Sequence, residues 1–305
     1  MDVTVVGAGV VGLTTALVLE ERGHRVRIVA SGTDREITSS LAGAVWFPYH
    51  VGPPAKVNAW AARTREWLTS LAGSAPESGV DLLTFFEITA DASEPWWAGS
   101  LPQLARAAAP VTGAPEAWTF SAPRAEPALF LPWLAKQLRA PIERRRVQDF
   151  IAEPGDALVD CTGLAARELF GDAALVPLFG QTLICELGGC DPAITITDAR
   201  DDDAHFYVIP RRDELVVGGC SIAVPPGTAA TPDPAITARI MRQANELGVP
   251  IGAIKTVRAG LRPFRPEVRL ERDARAPRIV HNYGHGGAGF TLCRGCAEAV
   301  AALLT

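Results

Sequence analysis

The first thirty residues constrain this chain more than any other stretch. Val3-Thr4-Val5-Val6 reads as a buried strand and runs straight into Gly7-Ala8-Gly9-Val10-Val11-Gly12. An amphipathic helical segment follows from Leu13 to Gly23, and residues 26–30 supply a second strand. In such a unit the first glycine makes the tight turn and the second lets the backbone approach a pyrophosphate. The third allows close packing of helix on strand. A lone G-x-G-x-x-G says little, but a complete βαβ unit around it points to a dinucleotide. The acidic residue that usually ends the second strand and bonds the ribose is absent: Ser31 stands there, with Asp34 three residues on and Arg35 already in the loop. Which dinucleotide binds is therefore left open by this unit alone.

A second glycine-rich element lies near the C-terminus. The stretch His281-Asn282-Tyr283-Gly284-His285-Gly286-Gly287-Ala288-Gly289-Phe290-Thr291 follows a strand-like run and precedes a helical pattern from Thr291 to Leu304. Glycines of this density let backbone lie flat against a ligand. A helix starting there would aim its free N–H groups back at whatever the loop holds. Val159-Asp160-Cys161-Thr162-Gly163 ends a further buried strand at a turn, a third place where backbone could meet a cofactor.

Between these elements the pattern is mixed. Residues 55–72 read as a helix with Trp60, Trp67 and Leu71 on its apolar face, and residues 80–90 as strands. The Pro- and Ala-rich residues 91–127 give no readable pattern. A helix is expected over 129–138, and Arg144-Arg145-Arg146 reads as a solvated strand edge. Residues 181–187, 206–210 and 215–222 read as strands of an antiparallel sheet, 232–248 as a helix and 255–261 as a returning strand. The expected fold class is mixed α/β: a Rossmann-type dinucleotide-binding domain interleaved with an antiparallel-sheet substrate domain. The first would take residues 1–50, 128–180 and 258–305, the second 51–127 and 181–257.

With 305 residues, a 48% hydrophobic share and a net charge of −5, the chain suits one large domain or two intertwined ones. The acidic balance argues against nucleic acid or an anionic membrane as partner. No apolar run approaches membrane-spanning length, and no signal peptide or peroxisomal tripeptide is evident, so a cytoplasmic location is expected. The 6 cysteines show no framework spacing. Cys293 and Cys296 form a C-x-x-C within a helix rather than at a strand-to-helix turn, so buried reduced thiols are expected. No second ligand pair supports a zinc site, and no metal is expected.

With these residues in hand, the chain resembles the D-amino-acid oxidase family of flavoproteins over essentially its whole length. The matching pieces are Val6 to Leu13, Ala42 to Tyr49, Cys161-Thr162-Gly163, Tyr207-Val208-Ile209-Pro210, Gly260-Leu261-Arg262-Pro263-Phe264-Arg265-Pro266 and, most specifically, His281 to Thr291. The resemblance implies noncovalent FAD, with hydride transfer from the substrate Cα to flavin N5. D-amino acids would become imino acids and then 2-oxo acids, with O2 reduced to H2O2. It implies a substrate site of Arg262 and Tyr207 on the carboxylate and the Gly287 carbonyl on the amine. It also implies cofactor contacts at Gly7, Ala8, Gly9, Val10, Val11, Ser31, Thr38, Ser39, Gly43, Ala44, Val45, Arg146, Val147, Thr162, Gly163, Gly286, Gly287, Ala288, Gly289, Phe290 and Thr291.

That chemistry asks the protein for positioning rather than for a nucleophile. A guanidinium fork suits bidentate grip of a carboxylate. Arg265 reads as a structural ion-pair partner, and His285 is not required as a base. The chain departs from familiar members in three ways: Asp201-Asp202-Asp203-Ala204-His205-Phe206 stands where a second active-site tyrosine is usual, Ala288 replaces an aromatic residue, and Phe47 an often polar one. Larger neutral D-amino acids are then expected to fit, and the acidic run to favour basic over acidic side chains. The rivals are a glycine- or sarcosine-type amine oxidase, a flavin-binding protein without turnover, and a nicotinamide-dependent reductase. The expected partners are small molecules, with the protein a monomer or homodimer.

Overall fold

The structure is a computed structural model that describes residues 1–32, 37–201 and 205–305. In chain order its elements are β1 (Asp2–Val6), α1 (Val10–Glu21), β2 (Arg25–Ala30), α2 (Thr38–Leu41), α3 (Pro54–Ser74), β3 (Val80–Ile88), β4 (Ala105–Ala108) and β5 (Glu116–Ala125). There follow α4 (Pro127–Gln137), β6 (Ile142–Arg144), β7 (Ala157–Asp160), α5 (Ala166–Phe170), β8 (Val176–Cys185), β9 (Ile194–Asp198), β10 (Phe206–Pro210) and β11 (Leu215–Gly218). The last are β12 (Ile222–Ala223), α6 (Pro234–Glu246), β13 (Ile254–Arg272), β14 (Ile279–His285) and α7 (Gly289–Leu303).

One continuous sheet runs β4-β5-β3-β9-β10-β11-β8-β13-β14-β7-β1-β2-β6, with β12 paired to β8. Its far half, β14-β7-β1-β2-β6, is all parallel. This is the doubly wound arrangement that the first thirty residues foretell, and β6 is its edge strand. The two glycines behave as their places demand. Gly7 has φ +115°, and a Cβ there would lie 2.3 Å from the Cys161 carbonyl oxygen. A Cβ on Gly12 would lie 2.0 Å from the Gly7 oxygen, so α1 sits on the β1 turn with no space between them. α1 is less amphipathic than its sequence suggests. It packs between β1, α4 and α7, and even Glu20 is buried, accepting the backbone N–H groups of Arg139 and Ala140 at 2.9 and 3.0 Å.

The near half of the sheet is mostly antiparallel, with one departure from expectation: β3 and β9 run parallel. Residues 91–127 add β4 and β5 to its edge. The two halves are joined by β13, a strand of 19 residues where the sequence suggests seven. Its first part pairs with β8 and its last part with β14, with a register shift between Phe264 and Arg269.

Alternation along these strands sorts side chains onto two faces. Leu183, Cys185, Phe206, Val208, Leu215 and Val217 cover one face, together with Ile240 and Ala244 of α6. Phe85, Thr182, Thr197, Tyr207, Ile209 and Arg262 cover the other and border a single large cavity.

Candidate active site

That cavity, of about 630 Å³, runs from the C-terminal ends of β1, β2 and β7 to the faces of β8, β10 and β13. Ligands of open α/β sheets sit at such strand ends. At one end Gly7, Ala8, Gly9, Val10 and Val11 form its wall where α1 begins. α2 brings Ser39 against the same turn: its Oγ accepts the Val10 N–H at 3.0 Å. Thr38 Oγ1 donates to the Leu261 carbonyl at 3.0 Å, which ties α2 to β13.

Ser31 at the end of β2, and Arg146 and Val147 beyond β6, line the outer part. There Arg146 approaches Glu168 at 3.7 Å, both side chains well exposed. Asp34 and Arg35 lie outside the described residues. At the end of β7, Asp160 Oδ1 accepts the Thr162 N–H at 3.0 Å and the Thr162 hydroxyl at 2.7 Å. The Asp160 carboxylate is fully buried and also meets His281 Nδ1 at 3.1 Å, while His281 Nε2 meets Asp273 at 3.1 Å. The bond to His281 holds the Asp273 carboxyl down at about 2. This chain of polar groups fixes the Thr162-Gly163 turn against the cavity.

At the other end, Arg262 and Tyr207 stand together. Arg262 Nη1 donates to the Cys220 carbonyl at 2.7 Å, and its guanidinium lies beside the Tyr207 hydroxyl, close enough to act on its ionisation. Burial raises the Tyr207 phenol above its ordinary value, with Arg262 acting against that rise. Both side chains occupy space that glycines vacate. A Cβ on Gly180 would lie 2.4 Å from Arg262 Nη1, and Cβ atoms on Gly218 and Gly219 would lie 2.4 and 2.7 Å from the Tyr207 ring. Gly287 lies between the Tyr49 ring and the Arg262 stem, 3.1 and 3.7 Å from its would-be Cβ. The glycine loop, from Gly284 to Gly289, leads directly into α7. A fixed guanidinium beside a phenol can hold a carboxylate through charge-assisted bonds.

Of the residues expected at the site, all line this cavity except Ala288 and Thr291. Ala288 is buried in the main core, so its small size adds no room beside a substrate. The Thr291 hydroxyl is taken up by Phe47, accepting its N–H at 3.1 Å and donating to its carbonyl at 2.9 Å. Phe47 itself stacks on Phe85 at 4.9 Å. Arg265 is outside the cavity, with its Nε 3.1 Å from Asp172, as a structural ion pair requires. Cys293 and Cys296 are buried and free. Asp202 and Asp203 lie outside the described residues, and Asp201 is exposed.

Three lining residues were not singled out from the sequence. Tyr49 stacks between His50 at 4.1 Å and His205 at 4.7 Å, so an aromatic hydroxyl borders the site although the segment before Tyr207 lacks one. Its partner His205 is pushed down to about 4 by burial and by Arg262, and stays neutral at ordinary pH. Arg258, four residues before Arg262 and so on the same face of β13, lines the cavity with no acidic partner among the described residues. Strand periodicity could have revealed Arg258, whereas Tyr49 and His205 meet only through the fold. His285 also lines the cavity. Burial holds it neutral, pushed down to about 4, and its Nε2 has no partner among the described residues.

The residues present fit a flavin dinucleotide: a glycine turn at a helix start, further turns at two strand ends, and a long cavity ending in polar side chains. The comparisons agree. Residues 2–303 match the family described as FAD dependent oxidoreductase. The chain is 38% identical to the D-amino-acid oxidase of Streptomyces coelicolor, over 99% of this chain and 96% of that protein. It is also 38% identical to the D-amino-acid oxidase of Rubrobacter xylanophilus, over 98% and 94%. In fold it matches the crystal structure of glycine oxidase from Geobacillus kaustophilus with a TM-score of 0.80 at 18% identity, covering 99% of this chain and 94% of that one. The chain belongs to the FAD-dependent oxidoreductase family.

Proposed function

We propose that this member of the family oxidises D-amino acids, with neutral and basic side chains preferred, to imino acids that hydrolyse to 2-oxo acids. The observation that carries the reading is the pairing of Arg262 with Tyr207 at the cavity end that faces Gly287. Bound FAD would take the Cα hydride together with its electron pair and pass both electrons to O2, giving H2O2. The protein's own residues orient the substrate. Arg262 and Tyr207 hold the carboxylate, and the Gly287 carbonyl accepts an amine N–H. The fixed pair of contacts leaves one Cα–H direction toward the cofactor and thereby selects one enantiomer. The amine need only be neutral for hydride loss, so no side-chain base is required.

In this reading the parallel half of the sheet carries FAD and the near half carries the substrate. The proposed FAD contacts are those expected from the sequence, with Ala288 and Thr291 acting through backbone at the start of α7. That helix start favours negative charge. Six free thiols suit a cytoplasmic location. No helix among the described residues is long and apolar enough to cross a membrane.

A panel of D- and L-amino acids, with glycine and sarcosine, assayed for H2O2 and 2-oxo acid, tests the reading. D-alanine and larger neutral D-amino acids should give both products and L-enantiomers neither. Turnover confined to glycine and sarcosine would favour the amine-oxidase alternative.

A further inference from the structure

One buried ionisable group, Glu87, lies just behind the cavity lining at the substrate end and is not itself a lining residue. Glu87 lies on β3, in register with Thr197 of β9, and Thr197 is in register with Tyr207 of β10. All three side chains share the face that borders the cavity, where Thr197, Tyr207 and Phe85, two residues before Glu87, are lining residues. Glu87 is only 6% exposed, and its side chain has no hydrogen bond or ion pair among the described residues. Its Oε2 is buried without a partner, as is Nε1 of Trp118, its cross-strand neighbour on β5. Burial alone pushes the Glu87 carboxyl up to about 8.

A buried carboxyl without partners destabilises the fold unless something satisfies it. Among the described residues no cation bonds it: Arg106, stacked over the Trp118 ring at 4.8 Å, is paired with Glu116, and Arg258 and Arg262, which line this end, lie on β13, on the far side of Tyr207 from Glu87. The one carboxylate among the described cavity-lining residues, Glu168, sits beside Arg146 at the cofactor end. The polarity at the substrate end therefore runs from cations at Arg262 to an unmatched acid at Glu87. Two strand spacings, about 9.5 Å, separate the Tyr207 and Glu87 backbones. A substrate held by its carboxylate at Arg262 and Tyr207 would reach Glu87 only with a long side chain. A four-carbon stem ending in an ammonium, or a guanidinium on a shorter stem, has that length and charge.

Resting on the D-amino-acid oxidase reading, we propose that Glu87 is the side-chain recognition residue of this site and selects D-amino acids whose long side chain ends in a cation. D-lysine and D-arginine are the probes, and D-norleucine, which has D-lysine's stem without its charge, is the control. In the FAD-loaded enzyme the kcat/KM ratio of D-lysine to D-norleucine should exceed ten, and Glu87→Gln should lower that ratio at least tenfold. Glu87→Asp, which withdraws the carboxylate by one methylene, should move the preference from D-lysine toward the longer D-arginine. A ratio unchanged in both variants, or a wild-type enzyme that oxidises D-norleucine better than D-lysine, overturns the proposal while leaving D-amino-acid oxidation intact. Absence of turnover with D-alanine and D-norleucine alike would overturn both.

Discussion

At the scale of single residues, the site rests on space as much as on charge. Arg262 supplies the guanidinium, but Gly180 supplies the room for it. Arg262→Ala removes a charge-assisted pair of bonds worth about 1.5–3 kcal/mol. Steady-state kinetics with D-alanine should show kcat/KM lowered by about 10- to 150-fold, with the bound flavin spectrum retained. Unchanged kinetics would mean that the carboxylate is held elsewhere, and Arg258 would be the next candidate. Gly180→Ala tests the space directly. Its Cβ would lie 2.4 Å from Arg262 Nη1, at the flexible end of that side chain, so the arginine moves and the backbone does not. Thermal melting should be nearly unchanged while kcat/KM falls about tenfold, a loss comparable to one misplaced charge-assisted bond. Loss of folding instead would place Gly180 among the structural glycines. Arg262 and Tyr207 were legible because their motifs carry them. The glycines at 180, 218 and 219 were not, because their purpose appears only when strands β8, β10, β11 and β13 are side by side.

At the scale of elements, the same contrast holds. The βαβ unit could be read from its first residues, since strand, glycine turn and helix follow one another locally. Its tightest contact makes a sharp prediction. A Cβ on Gly12 would meet the Gly7 oxygen at 2.0 Å, and this obstacle is backbone that cannot rotate away. Gly12→Ala should therefore both lower the melting temperature and empty the protein of flavin, read by absorbance after gel filtration. Retention of full flavin content would show that the turn is looser than the geometry states. Residues 91–127 resisted reading because β4 and β5 are stabilised by cross-strand partners, Trp118 beside Arg106 and Glu87 among them, and not by any local period. β13 was seen only in part because Pro263 and Pro266 interrupt its sequence, and because it changes partner from β8 to β14 along its length. The expected widening of the pocket by Ala288 failed for a similar reason: that residue is buried in the main core where the loop enters α7.

At the scale of the whole molecule, ionisable groups in and behind the cavity wall couple stability to pH from both sides. His205 and His285 are held down at about 4 in the fold, against an ordinary 6.5. The unfolded chain takes up their protons first, so stability falls as pH drops from about 6.5 to about 4. Asp273, held at about 2 against 3.8, adds stability above 3.8 that is lost as pH falls toward 2. Glu87 acts in the opposite direction. Raised to about 8 from 4.5, it keeps its proton in the fold where the unfolded chain has lost it, so stability falls as pH rises from 4.5 to 8. The melting temperature of Glu87→Gln minus that of wild type should accordingly grow across that interval. A constant difference would mean that Glu87 is already ionised and paired in the folded protein. Cofactor, enantiomer and site meet in one reaction, which anaerobic absorption spectroscopy of the FAD-loaded protein reads out. D-alanine should bleach the oxidised flavin bands, L-alanine should leave them unchanged, and air should restore them with release of H2O2. Bleaching by L-alanine, or no bleaching by any D-amino acid, would contradict it.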